Sequence, residues 1–123
     1  MLKKTLQNTD KYLWTHHVFE KMNFYNISEN RIKRIIRFPK RIEEGIVPET
    51  VAVMQPAGTK RYQEIWVMYK LIKPNNLKSK IKNIKFATNK PKIKIITAWR
   101  YPGKSPEGNP VPQEVIEEVK NLL

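Results

Sequence analysis

The sequence predicts an α+β fold: two N-terminal helices packed on a curved, mainly antiparallel sheet of about four to five strands, closed by a C-terminal helix. Three observations carry this expectation. Apolar residues recur at helical spacing before residue 39, alternate with a period of two between 41 and 100, and return to helical spacing after a Pro/Gly-rich loop. The connections between the alternating segments are short, which favours hairpins over parallel crossovers. No stretch of the 123 residues repeats or reads as a linker, so residues 1–123 are expected to form a single domain.

Residues 1–11 are polar and read as a loose arm or a short edge strand. Residues 12–25 read as a helix, with Trp14, Val18 and Tyr25 on one face, Met22 beside them, and His17 and Lys21 on the flank of that stripe. His16 points the other way, toward solvent near Glu20. A second helix follows in "NISENRIKRIIRFPK". Ser28 is its N-cap, Glu29 suits the helix dipole, and Ile27 and Ile32 stand at the positions of a hydrophobic staple. Ile32, Ile35 and Ile36 form its buried stripe, Arg31, Lys33, Arg34 and Arg37 its exposed side, and Pro39 ends it.

Strands are expected near 41–44, 50–55, 62–72, 81–88 and 92–100, with turn chemistry at "PAGTKR" and "TNKP". Ile65, Val67, Tyr69 and Leu71 share one face of the third. Ile93, Ile95, Thr97 and Trp99 share one face of the last, with Lys92, Lys94 and Arg100 on the other. This alternation predicts a sheet packed on one side and wet on the other. Residues 102–123 comprise the Pro/Gly loop "YPGKSPEGNPVP" and a closing helix with Val115, Ile116, Val119 and Leu122 on its inner face.

The charge balance narrows the partners. Lys and Arg total 24 against 11 acids, a net charge of +13, which points to phosphate polymers or to an acidic protein that masks a basic surface. Residues 105–123 run the other way, with Glu107, Glu114, Glu117 and Glu118 against Lys120 alone. The closing helix is therefore placed to lie back over basic surface. No stretch is apolar enough for a membrane span, the start "MLKKTLQNTDKY" lacks the apolar run of a secretory signal, and cysteine is absent, so a cytoplasmic protein is expected.

Several chemistries are set aside on the residues present. Two histidines and no cysteine do not make a zinc site, and no cofactor or metal is expected. "PGKSP" lacks the spacer and leading glycine of a phosphate loop. Glu43 and Glu44, adjacent on a strand, point to opposite faces and make a poor acid/base pair. RNA cleavage remains within reach, because RNA supplies its own 2′-hydroxyl nucleophile and asks only for proton transfer and cations beside the phosphate. His17 and Lys21 from the first helix, with Arg61, Thr97 and Arg100 from the sheet, are such a set where they converge. Arg31, Lys33, Arg34 and Arg37, extended by Lys85, Lys92 and Lys94, are the candidate phosphate-binding surface.

The run "HVFEKMNFYNISENRIKRIIRFPKRIEEG" resembles a branch of uncharacterised toxin-type domains in the RelE/ParE/BrnT-like superfamily. His17, Lys21, Met22, Ile27, Ser28 and Pro39 fall in step with it, and the strand "IITAWR" carries the threonine of its last strand. The resemblance covers residues 16–45 by sequence and 50–100 by strand pattern. It implies paired helices on a curved antiparallel sheet, cleavage of messenger RNA without a metal, and an antitoxin partner, and it selects His17 over His16. Two alternatives stand beside this endoribonuclease: a non-catalytic module that binds nucleic acid or the ribosome on the same fold, and a component of a larger assembly whose basic face is covered by an acidic partner.

Overall fold

The chain runs through strand β1 (Tyr12–Trp14), helices α1 (His16–Tyr25) and α2 (Glu29–Arg37), strands β2 (Arg41–Glu44), β3 (Thr50–Pro56), β4 (Gln63–Ile72) and β5 (Lys92–Pro102), and helix α3 (Gln113–Leu122). This computed structural model describes residues 8–9, 11–73 and 91–122. The strands form one mixed sheet in the order β1-β5-β4-β3-β2, with β1 parallel to β5 and every other pairing antiparallel. The α+β class, the two N-terminal helices and the C-terminal helix are as the sequence predicts. The strand expected over 81–88, most of the turn after it, and Lys85 lie outside the described residues.

Two expectations change. The helix expected over 12–25 divides, because Tyr12, Leu13 and Trp14 suit a pleated strand and pair in parallel with Ile93, Lys94 and Ile95. Thr15 then caps α1, its hydroxyl accepting from the Val18 N–H. The helix ends at Asn26, which adopts the left-handed conformation (φ 55°) and donates its N–H to the Met22 carbonyl. α2 keeps the punctuation read for it: Ser28 accepts from the Arg31 N–H, Glu29 opens the first turn, and Arg34 and Arg37 stand in the last.

The sheet is covered on both faces, not on one. Against α1 and α2 it presents Val53, Ile65, Val67, Ile95 and Ala98, packed with Val18, Met22, Ile27, Ile32 and Ile35. Ile32 and Ile35 are fully buried, each worth about 1.5–3 kcal/mol over an exposed side chain, which exceeds the ~1 kcal/mol of a cap. The other face carries Ala52, Met54, Trp66, Met68, Ile96 and Trp99 and receives Val115 and Val119 of α3. Trp66 and Trp99 stack there with ring centroids 5.9 Å apart and planes 4° from parallel. Trp99 is thus a core residue, with its indole N–H donated to the Pro110 carbonyl. Gly45 opens the turn into β3, donating its N–H to the Thr50 carbonyl, and an added Cβ would stand 1.9 Å from the Thr50 hydroxyl.

A buried polar network fixes the Pro/Gly loop that leads to α3. Glu64 on β4 is fully buried. Its carboxylate accepts from the Ser105 hydroxyl and N–H, the Trp66 indole and the Tyr62 phenol. Burial alone pushes this carboxyl up, but the donors from Ser105, Trp66 and Tyr62 together hold it below the ordinary carboxylate value. The Arg41 guanidinium lies 3.6 Å from Glu64 and 2.9 Å from Glu43, over the Trp66 ring, and donates to the Ser105 carbonyl. Glu43 accepts in turn from the Gly108 N–H. Glu64→Ala removes one of the two carboxylates beside Arg41 and leaves the buried Trp66 and Ser105 donors without their acceptor. Denaturant unfolding should show a loss of about 3–5 kcal/mol, the cost of breaking a buried ion pair on one side; a loss under 1 kcal/mol would mean the loop is held by other contacts.

Candidate functional site

Helix α1 lies along the edge of β5 that β1 leaves uncovered. β1 pairs only with residues 93–95, after which Thr15 turns the chain and donates its hydroxyl to the carbonyls of Ile95 (2.9 Å) and Ile96 (3.1 Å). At the far end of α1, Arg100 donates Nε to the Tyr25 carbonyl at 2.8 Å and Nη2 to the Asn26 carbonyl at 3.4 Å. A cation on those last carbonyls suits the negative end of the helix. β5 also contains an irregularity beside these contacts. Met68 pairs with Thr97 but Tyr69 pairs with Ile95, so Ile96 is an extra residue in the ladder.

The bulge reassigns the faces read from the alternation. Ile93 and Ile95 face α1 and α2, whereas Ile96 and Trp99 pack beneath α3. Thr97, opposite Met68, turns with Trp99, and Arg100, opposite Ile65, turns toward α2. Thr97 and Arg100 therefore open to different sides of the sheet. They also stand near opposite ends of α1: His17 and Tyr25 are eight residues apart, roughly 12 Å along the axis.

On the α3 side the structure brings together His17, Lys21 and Thr97, with Glu118 of α3 as a fourth member. His17 Nε2 lies 3.1 Å from the Thr97 hydroxyl and 3.5 Å from a Glu118 carboxylate oxygen. The other Glu118 oxygen accepts from Lys21 Nζ at 2.7 Å. The imidazole is nearly buried, its side chain 12% exposed. Burial holds His17 below its ordinary pKa; Glu118 pulls the other way, and the Lys21 ammonium adds to the lowering. An imidazole kept neutral between a hydroxyl and a carboxylate is chemically able to take up a proton. Lys21, committed to Glu118, is not a free phosphate clamp. His16 is exposed and pairs with Glu20 at 3.1 Å.

On the α2 side a cleft of about 600 Å³ is lined by Arg31, Arg34 and Arg100, with Asn23, Asn26 and Ser28 on its rim and Met22, Ile27 and Ile65 at its base. Arg31, expected on the exposed side of α2, turns inward and donates to the Pro56 carbonyl. Its Nε is buried without a hydrogen-bond partner among the described residues. Burial first, then the neighbouring charges of Arg34 and Arg100, lower its pKa from the ordinary arginine value, though a guanidinium stays protonated at neutral pH. Among the described residues no carboxylate lines this cleft.

The remaining candidates spread outward. Arg61 is exposed in the β3–β4 connection, away from both sites, its carbonyl accepting from the Thr59 hydroxyl. Lys33 pairs with Glu29 at 3.6 Å and lies over the Tyr12 ring, and Arg37 is exposed. Lys94 does not extend the α2 surface: it lines a separate cavity on the α3 side, with Lys70, Ile96 and Val119. Lys92, two residues before Lys94 on the strand, shares its parity and so its face. The sequence reading missed Lys70, Glu118, Asn23 and Asn26. Asn26 had a signal, since an asparagine ending a helix two residues before an N-cap serine suits the left-handed cap that places it on the rim. Among the described residues no group of three or more His, Cys, Asp or Glu side chains is placed to hold a metal ion, and no helix is long and apolar enough to cross a membrane.

No family model, curated protein or solved structure matches this chain.

The lowered His17 pKa sets a pH dependence. Below the ordinary value of 6.5 the unfolded imidazole binds a proton that the folded one resists, so stability falls as pH drops from about 6.5 through the folded value. Glu43 and Glu64, held below their ordinary value of 4.5, add their loss only in more acid solution. His17→Gln should flatten the decline in melting temperature between pH 7 and 5 while leaving the steeper acid limb in place. A decline of unchanged slope in the variant would show that His17 titrates as it does in the unfolded chain.

Proposed function

We propose that the protein binds RNA by its sugar–phosphate backbone, in the cleft between α1, α2 and the β4–β5 edge. The observation that supports this most is the convergence of Arg31, Arg34 and Arg100 on one cleft, with no acid lining it among the described residues. Guanidinium groups suit phosphate oxygens in geometry as well as charge. Burial first, and then the like charges of Arg34 and Arg100, disfavour the Arg31 guanidinium in this cleft; a bound phosphate offsets the repulsion. Asn23 and Asn26 on the rim add neutral hydrogen-bonding groups that can meet sugar or base edges. A cleft of about 600 Å³ fits a few atoms of backbone and one nucleoside of a single strand. The net charge of +13 supplies long-range attraction. The cytoplasm, RNA free or on the ribosome, and an acidic protein partner that covers the same guanidiniums are the setting this reading proposes.

A second reading, metal-independent RNA cleavage of the toxin type, is supported by the approach of His17 Nε2 to the Thr97 hydroxyl beside Lys21. In that reading His17 moves the proton and Thr97 positions it. Besides Lys21, Lys70 and Lys94 line the cavity to which His17 contributes, while Arg61 and Arg100 stand elsewhere. Incubation of RNA in chelator checks it: cleavage that disappears in His17→Ala supports His17 as the proton-transfer group, and intact RNA at all times removes the enzyme.

For the binding reading, affinity for a single-stranded RNA should fall with salt at a slope of about −2 in log–log form, the value for three neutralised phosphates at roughly 0.7 each. Arg34→Gln should weaken binding about tenfold and shallow the slope by about 0.7, whereas Lys94→Gln should change neither. Equal effects of the two substitutions would mean that charge alone, and not the cleft, holds the RNA.

A further inference from the structure

The cavity on the α3 side has a lining unlike that of the arginine cleft. It encloses about 360 Å³, near the lower end of the roughly 300–1,000 Å³ typical of small-molecule sites. Lys70 of β4 and Lys94 of β5 stand directly opposite each other in the strand register and both line it. Like charges in that position repel across a strand pair. Lys94 has no ion-pair partner among the described residues. Lys70 has one, Glu49 at 3.5 Å, whose side chain is 74% exposed, so solvent screens most of that compensation. His17 contributes to the wall, and Val47, Ile96 and Val119 give the cavity an apolar lining.

We infer that this cavity binds a phosphomonoester carrying a compact apolar or aromatic body, of mononucleotide size. Two ammonium groups facing each other match a phosphate dianion in charge, and ammonium groups bind phosphate as point charges without asking for a fixed approach. The apolar lining accommodates the body attached to the phosphate, and excluding water there strengthens the charge contacts. Lys94 and Ile96, two residues apart on β5, share the face that lines the cavity. The inference is independent of RNA binding in the arginine cleft, because the two cavities share no lining residue among the described residues.

The same chemistry can arrive as a free nucleotide or as the phosphorylated end of an RNA strand, and the test separates them. Calorimetric titration with adenosine monophosphate, with adenosine as control, is run on the wild type, on Lys70→Gln/Lys94→Gln and on Arg34→Gln. A short RNA with a 5′-phosphate is compared with the same RNA bearing a 5′-hydroxyl on the same three proteins. Binding of the monophosphate but not the nucleoside, weakened at least tenfold by the lysine pair and unchanged by Arg34→Gln, supports a free-nucleotide site. A gain of at least fivefold from the 5′-phosphate, lost only in the lysine variant, supports a strand-end site. The inference is overturned if neither phosphate adds affinity, or if the lysine pair can be replaced without loss. Circular dichroism of the double variant, expected to match the wild type because both lysines lie at the surface, separates lost binding from lost folding. Failure here with intact RNA binding removes the cavity alone; loss of RNA binding only in Arg34→Gln leaves the cleft untouched.

Discussion

Helix α1 stands where β1 would otherwise continue along β5, and the contacts that hold it there organise both candidate sites. Among the described residues β5 has no strand partner on that side along 96–102 once β1 has ended, and such an edge invites pairing with another chain. Thr15 answers at one end by donating to the carbonyls of Ile95 and Ile96, and Arg100 answers at the other by reaching the carbonyls that end α1. Between them, Val18 and Met22 bury themselves toward α2 while His17 and Lys21 face α3. A single helix thus furnishes walls to two cavities, one at each end and on each side of the sheet.

The second constraint is electrostatic and lies deeper. Glu64 is a charge buried in the sheet, tolerable only because Ser105, Trp66 and Tyr62 donate to it and Arg41 stands near. Through Ser105 and Gly108 this cluster anchors the loop that delivers α3 to the face of Trp66 and Trp99. α3 then places Glu118 against Lys21 and near His17. The acidic tail does come back onto basic surface, but it neutralises one lysine and leaves the arginine cleft open. Its main contact is apolar, through Val115 and Val119.

Local signals were legible in the sequence, and long-range ones were not. Ser28, Glu29 and the Ile32–Ile35–Ile36 stripe defined α2 because a cap and a helical face are written within nine residues. The first strand was hidden because Trp14, Val18 and Tyr25 also satisfy a helical wheel, and only pairing with residues 93–95 decides between the two. Trp66 and Met68 lie on the back of the alternating third strand and Trp99 reads as sharing a face with Ile93 and Ile95, yet α3 covers all three; a fully apolar strand does not announce a second layer until the helix that supplies it is placed. The bulge at Ile96 has no signature in "KIKIITAWR", since a one-residue slip preserves composition while exchanging faces. Of the candidate set, His17, Lys21 and Thr97 come together. Arg100 joins Arg31 and Arg34 on the far side, and Arg61 joins neither. Glu118 was seen only as part of a charge excess, because its partner lies 97 residues earlier.

In the proposed reading, RNA binding and any chemistry at His17 have separate addresses, on opposite sides of the sheet. In that reading the three guanidiniums, with no carboxylate lining their cleft among the described residues, attract a polymer backbone, while Lys70 and Lys94, beside His17, suit a small anion. At 14.6 kDa the protein is within reach of backbone amide NMR, and titration with a short unphosphorylated RNA tests the assignment most directly. Shifts should concentrate on residues 23–34, at Ala57 and at Arg100, with Lys70, Lys94 and the turn at 47–50 unmoved. Shifts centred on His17 and the two lysines, with the arginine cleft silent, would contradict it.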